Sequence, residues 1–169
     1  MRCPNCQSTL RAKRYEGVSV ESCGSCGGEW LDAEELGNVV RIRETRFSEP
    51  ERRAIVESTT ITGVSLRDVD RDLTCPKCGG STDPTNYGGD TGIIIDRCTS
   101  CHGFWLDGQE LEKIQMLVEG WDDQLPADLA EYGPKLRDVA AQVDKSDDAS
   151  PSRVSFINSI INGILDIGA

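Results

Sequence analysis

Eight cysteines stand in four Cys-x-x-Cys pairs: Cys3 and Cys6, Cys23 and Cys26, Cys75 and Cys78, Cys98 and Cys101. A two-residue gap lets both sulfurs of a pair turn toward one ion, and two pairs supply the four thiolates that zinc takes tetrahedrally. The spacers, residues 7–22 and 79–97, are 16 and 19 residues long, inside the window for four-thiolate zinc sites. Two structural zinc ions per chain are therefore expected, one on Cys3, Cys6, Cys23 and Cys26, the other on Cys75, Cys78, Cys98 and Cys101. Four protein ligands leave no position for water or substrate, which argues against Lewis-acid hydrolysis. The competing chemistries are four disulfides, iron in place of zinc, thiol–disulfide exchange, and haem attachment at Cys98-Thr-Ser-Cys101-His102. Each fits less well. Nothing near Met1 resembles an export signal, which points to a reducing cytoplasm and against disulfides and haem. Redox dithiols need one pair, not two converging on a point.

These pairs must be brought together by short elements, and a repeat shows which. Cys23-Gly-Ser-Cys-Gly-Gly-Glu-Trp-Leu-Asp-Ala-Glu-Glu-Leu36 realigns on Cys98-Thr-Ser-Cys-His-Gly-Phe-Trp-Leu-Asp-Gly-Gln-Glu-Leu111 at an offset of 75 residues, and the first pairs align at 72. The difference fits a longer hairpin turn at Gly88-Gly89-Asp90-Thr91-Gly92 in the second copy. Each copy reads as pair, hairpin, pair, helix, with 18–22 and 93–97 as strands that deliver the second pair. Asp32 with Glu35, and Asp107 with Glu110, have the spacing of a helix-starting capping box. Leu36, Val39 and Val40, or Leu111, Ile114, Leu117 and Val118, then form an apolar stripe that packs beside Trp30 or Trp105. The expected fold is small α+β and metal-stabilised: two zinc ribbons, each a β-hairpin with a following helix, and an α-helical C-terminal region.

The divisions expected are a first ribbon and helix over 1–46, a connector over 47–73, a second ribbon and helix over 74–119, a helical segment and linker over 120–150, and a terminal helix over 151–169. Within the connector, 49–57 reads as a short helix entered at Pro50; its second half carries no assignable pattern. Residues 125–144 read as a helix interrupted at Gly133-Pro134. In the last segment Phe156, Ile157, Ile160, Ile161, Ile164 and Leu165 recur at helical spacing, an amphipathic face suited to docking or to pairing with a second copy. Trp121, outside the repeat, is a further interface candidate. No stretch is long and apolar enough to span a membrane.

With 29 acids against 18 Lys/Arg the formal charge is −11, and metal-bound thiolates would make it more negative, so bulk attraction to phosphate is not expected. The local exception is Arg11, Lys13 and Arg14 on the first hairpin, a possible nucleic-acid contact. The doubled motif Cys-x-x-Cys-x-Gly-x-Trp-Leu-Asp-x-x-Glu-Leu resembles the bacterial zinc-finger family named for its likeness to the transcription-factor-IIB zinc ribbon. The resemblance spans about residues 1–45 and 73–119 and implies zinc-binding ribbons with the eight cysteines as ligands. With one histidine, no phosphate-cradling glycine loop and no nucleophile–base pattern, no enzyme is expected. The leading expectation is a cytoplasmic, non-enzymatic adaptor for a protein partner. The first alternative is a nucleic-acid-binding or transcription-associated factor using the basic hairpin; the second is a zinc-thiolate redox-sensitive chaperone.

Overall fold

The computed structural model describes residues 1–42, 44–58 and 66–146. The terminal stripe from Phe156 to Leu165, Arg43 in the first segment, and residues 59–65 of the connector lie outside the described residues. The chain divides into two compact units, Met1–Gly120 and Trp121–Ala169.

In the first unit β1 (Leu10–Tyr15) and β2 (Val18–Cys23) form an antiparallel hairpin. Its turn, Glu16-Gly17, has positive φ at both residues, the conformation that matches the twist of the flanking strands. A three-residue strand β3 (Glu29–Leu31) follows the second cysteine pair, then α1 (Ala33–Ile42). The connector forms α2 (Glu49–Ser58), entered at Pro50 as its sequence predicts, and a single turn α3 (Leu66–Val69). The second copy repeats the first as β4 (Thr82–Asn86), β5 (Ile94–Cys98), β6 (Phe104–Leu106) and α4 (Glu110–Ser146).

The two ribbons are halves of one sheet. Its order is β1-β2-β3-β6-β5-β4, and the seam is the pairing of β3 with β6: Trp30 opposite Trp105, Glu29 opposite Leu106, Leu31 opposite Phe104. Residue 30 and residue 105 are the same position in the two copies, so the repeats meet about an approximate two-fold axis between the tryptophans. The sequence shows the tryptophans and their equivalence, but not these short strands, because three residues carry no readable alternation.

Side chains alternate between the faces of a strand, and the sheet uses its faces differently. One face puts Val20, Leu31, Ile95 and Leu106 beneath α1 and the first turns of α4, where Leu36, Val39, Leu111, Ile114 and Leu117 complete a single apolar cluster. The stripes that read as two separate small cores thus share one, and each Leu or Ile fully buried there contributes ~1.5–3 kcal/mol. The opposite face carries Leu10, Trp30 and Trp105 together with Cys3, Cys23, Cys75 and Cys98, so the helix stripes pack across the sheet from the tryptophans and not beside them as their spacing suggests, because alternate strand residues point to opposite faces.

Two local expectations are revised. In each capping box only the reverse half forms: Glu35 Oε2 accepts from the Asp32 N–H and Glu110 Oε2 from the Asp107 N–H, both at 2.7 Å. The aspartate side chains are drawn elsewhere, Asp32 to Lys77 and Asp107 to Arg71 and Trp105. And α4 runs unbroken from Glu110 to Ser146, with Pro126 and Pro134 inside it; each proline removes one backbone donor, but neither ends the helix. At Gly120 the helix comes close to α2: a Cβ there would lie 2.5 Å from Val56 Cγ2 and 3.1 Å from the Arg52 carbonyl.

Candidate metal centres

Each centre is assembled from two tight turns. In the first, the Gln7 N–H donates to the Cys3 carbonyl at 2.9 Å and the Gly27 N–H to the Cys23 carbonyl at 2.9 Å; in the second, Gly79 and His102 make the same bonds to Cys75 and Cys98. The residue closing each turn has positive φ: Gln7, Gly27, Gly79 and His102. These turns aim the sulfurs inward. The ligand atoms of Cys3, Cys6, Cys23 and Cys26 lie within 4.8 Å of one another, as do those of Cys75, Cys78, Cys98 and Cys101.

The spacing fits zinc. Adjacent sulfurs are 3.6 Å (Cys3–Cys26), 3.4 Å (Cys6–Cys23), 3.6 Å (Cys75–Cys101) and 3.5 Å (Cys78–Cys98) apart. A zinc–sulfur bond of ~2.3 Å in a tetrahedron puts sulfurs ~3.8 Å apart, whereas a disulfide requires ~2.05 Å, and all eight cysteines are free. Backbone amides turn to the sulfurs: Cys6 N–H to Cys3, Cys78 N–H to Cys75, and Ser100 N–H to Cys98, each at 3.4 Å. Burial pushes the Cys3 and Cys75 thiols up to about 12, so thiolates gathered there need a cation to hold them. Two zinc ions, one per four-cysteine group, meet that need.

The tryptophans lock the centres to each other. Trp30 and Trp105 are 1% and 0% exposed. A Cβ on Gly28 would sit 2.2 Å from Trp105 Cζ2, and a Cβ on Gly103 would sit 2.4 Å from Trp30 Cζ2, so each indole lies over the glycine after the other copy's second cysteine pair. Both tryptophans are thus core residues, as their repeat-equivalent positions suggest. Trp105 Nε1 donates to Asp107 Oδ1 at 3.1 Å, whereas buried Trp30 Nε1 has no partner among the described residues.

Arg71 is the contributor that sequence reasoning missed. It reaches from the connector to pair with Asp96, which is 0% exposed, and with Asp107 at 2.5 Å. Burial pushes the Asp96 carboxyl up while Arg71 pulls it down. The available signal was a lone acid inside the apolar strand Ile93-Ile-Ile-Asp-Arg97, which requires a cation. A second buried acid, Glu119, accepts from the Phe47 N–H at 3.0 Å and ties the connector to α4.

The remaining candidates are dispersed. Arg11, Lys13 and Arg14 are exposed on β1, but Lys13 is held by Glu29 at 3.1 Å and lies 5.3 Å from the centre of the Tyr15 ring. Trp121, at the start of the second unit, is 37% exposed. His102 is exposed at a turn. Among the described residues, no helix is long and apolar enough to cross a membrane.

Comparison with known proteins agrees with this geometry. The transcription factor zinc-finger family, of the transcription-factor-IIB ribbon type, matches twice, over residues 2–41 and 74–115. Transcription factor S of Sulfolobus acidocaldarius is 27% identical over 111 residues, covering 62% of this chain and 96% of that protein. No solved structure matches the chain.

Proposed function

Both repeats are zinc ribbons of the transcription-factor-IIB type, and from that premise we propose that the chain is a non-enzymatic, transcription-associated factor whose two zinc ions are structural. The observation that carries this reading is the double match, one to each half of the sheet, joined by the similarity to a protein named transcription factor S along nearly its whole length. It displaces the general adaptor as the leading reading. The chemistry agrees: four thiolates fill each metal's coordination, leaving no position for a reacting group.

The partner is a protein of the transcription apparatus. Two four-thiolate zinc sites add negative charge to a chain already at −11, which opposes close approach to a phosphate backbone. The second reading, contact with nucleic acid through the first hairpin, draws support from exposed Arg11 and Arg14, but Lys13 is already engaged by Glu29. Docking or self-association through Phe156, Ile157, Ile160, Ile161, Ile164 and Leu165 remains part of the proposal on sequence pattern alone.

The test is co-purification of the tagged, zinc-loaded full chain with RNA polymerase from its own cells, beside anisotropy titrations with single-stranded and duplex DNA over a range of salt. Retained polymerase subunits with weak DNA binding are expected. Absence of any transcription protein would overturn the proposal, and tight binding whose affinity falls steeply with salt and with Arg11→Glu/Arg14→Glu would select the nucleic-acid reading.

A further inference from the structure

The outer edges of the sheet, β1 and β4, occupy equivalent places in the two repeats yet differ in kind. The Leu10 N–H donates to the Met1 carbonyl at 3.0 Å and the Thr82 N–H to the Leu73 carbonyl at 3.2 Å, so at the first residue of each strand the backbone turns away from its neighbour. Backbone direction alternates along an antiparallel strand. Ala12 and Arg14 in β1, and Pro84 and Asn86 in β4, therefore also present their backbone outward.

In β4 the middle outward donor is deleted, because Pro84 stands where β1 has Ala12, and Asp83 stands where β1 has Arg11. A proline whose missing N–H faces an open edge blocks strand addition without costing the sheet a bond. No such block exists in β1, where Arg11, Ala12, Lys13 and Arg14 are all exposed. Basic residues on an edge repel a second basic edge, so β1 is selective for charge and not closed. Lys13 is spent on Glu29, but Arg11 and Arg14 make no ion pair among the described residues, in a chain with 29 acids and 18 Lys/Arg. Being three apart on a strand, they leave on opposite faces.

We propose that the outer edge of β1 takes up an extended acidic segment of a partner protein as an added strand, bonded to the backbone of Ala12 and Arg14, with carboxylates on both its faces meeting Arg11 and Arg14. Main-chain bonds supply affinity in this mode and alternate side chains supply selectivity. The inference rests on the reading of the chain as a factor that binds a protein of the transcription apparatus, and names the surface and the partner's chemistry.

The test is fluorescence anisotropy of a labelled peptide of about ten residues repeating Glu-Glu-Val-Val, which puts carboxylates on both faces of the strand and is long enough for one ordinary strand, against the zinc-loaded full chain. Ala12→Pro installs what β4 already accommodates at the equivalent position; Arg11→Glu/Arg14→Glu reverses the charge. The acidic peptide should bind and its Lys–Val counterpart should not, Ala12→Pro should weaken binding by about tenfold or more, and the charge-reversed chain should prefer the Lys–Val peptide. Absence of acidic-peptide binding, or full binding by an Ala12→Pro chain that retains its zinc, overturns the proposal. So does displacement of the peptide by DNA whose binding needs the arginines but not the Ala12 N–H. If Ala12→Pro loses zinc, the charge exchange decides: failure to switch peptide preference sinks the idea. Polymerase retained equally by wild type and Ala12→Pro would refute this edge as the docking site and leave the transcription-associated reading standing. Loss of polymerase from the wild-type chain, with peptide binding as expected, would do the reverse.

Discussion

Gly28 and Gly103 show how little room separates the two ribbons, since each faces the other copy's indole at a distance no Cβ tolerates. Gly103→Ala should therefore lower stability by ~1–3 kcal/mol through overpacking, measured as a fall in the thermal midpoint of the zinc-loaded protein; an unchanged midpoint would mean that the tryptophan contact is not tight. Gly37, in the middle of α1, is the opposite case: a Cβ there meets nothing within 4 Å and φ is ordinary. Gly37→Ala should raise stability by ~0.5–1 kcal/mol, because alanine loses less backbone freedom on entering a helix. The pair forms an internal control, with the same substitution expected to have opposite signs.

At the scale of elements, α4 begins on a carboxylate kept under strain by its surroundings. Burial pushes Glu110 up to about 7, and the Asp107 N–H opposes that shift. A carboxyl raised from its ordinary value near 4.5 binds its proton more tightly in the folded chain than in the unfolded one. Its contribution to stability is thus lost as pH rises from about 4.5 through about 7. Glu110→Gln keeps an acceptor for the Asp107 N–H and removes the charge. The variant should gain on wild type as pH rises from about 4.5 to about 7, followed by urea denaturation at each pH; a constant difference across that window would refute the assignment. The same element shows where periodicity misleads: Gly133-Pro134 signals an interruption, but the helix continues past it, since a proline costs one bond and not the whole turn.

For the whole of the first unit, a continuous sheet joined at the β3–β6 seam should make the two metal sites interdependent. Cys75→Ser should reduce zinc from two ions to one per chain and also loosen the first ribbon, seen as loss of the near-ultraviolet tryptophan signal from both Trp30 and Trp105. Chelation of the wild-type protein should likewise give one cooperative transition. Two well-separated transitions, with the first ribbon intact after the second metal leaves, would show that the β3–β6 seam contributes little. The separate-module picture read from the repeat predicts that second outcome, so this experiment tests the seam directly.

What the sequence by itself determined was everything carried by local spacing. The Cys-x-x-Cys pairs and their spacers identified both four-cysteine groups; the 75-residue offset exposed the duplication; the capping spacings started α1 and α4; Pro50 marked α2. These depend on residues near one another along the chain, where turn and helix geometry act directly. Only the tertiary structure decided how the copies join. A seam of three residues on each side has no periodicity to detect, and Arg71 finds Asp96 and Asp107 only after the connector has wrapped back onto the second ribbon. The same holds for the chemistry of β1: Arg11, Lys13 and Arg14 look alike in sequence, and the fold alone gives Lys13 to Glu29 and leaves the two arginines at an open edge. Long-range pairing sets those differences, because burial and partnership are properties of the assembled sheet and not of any segment of it.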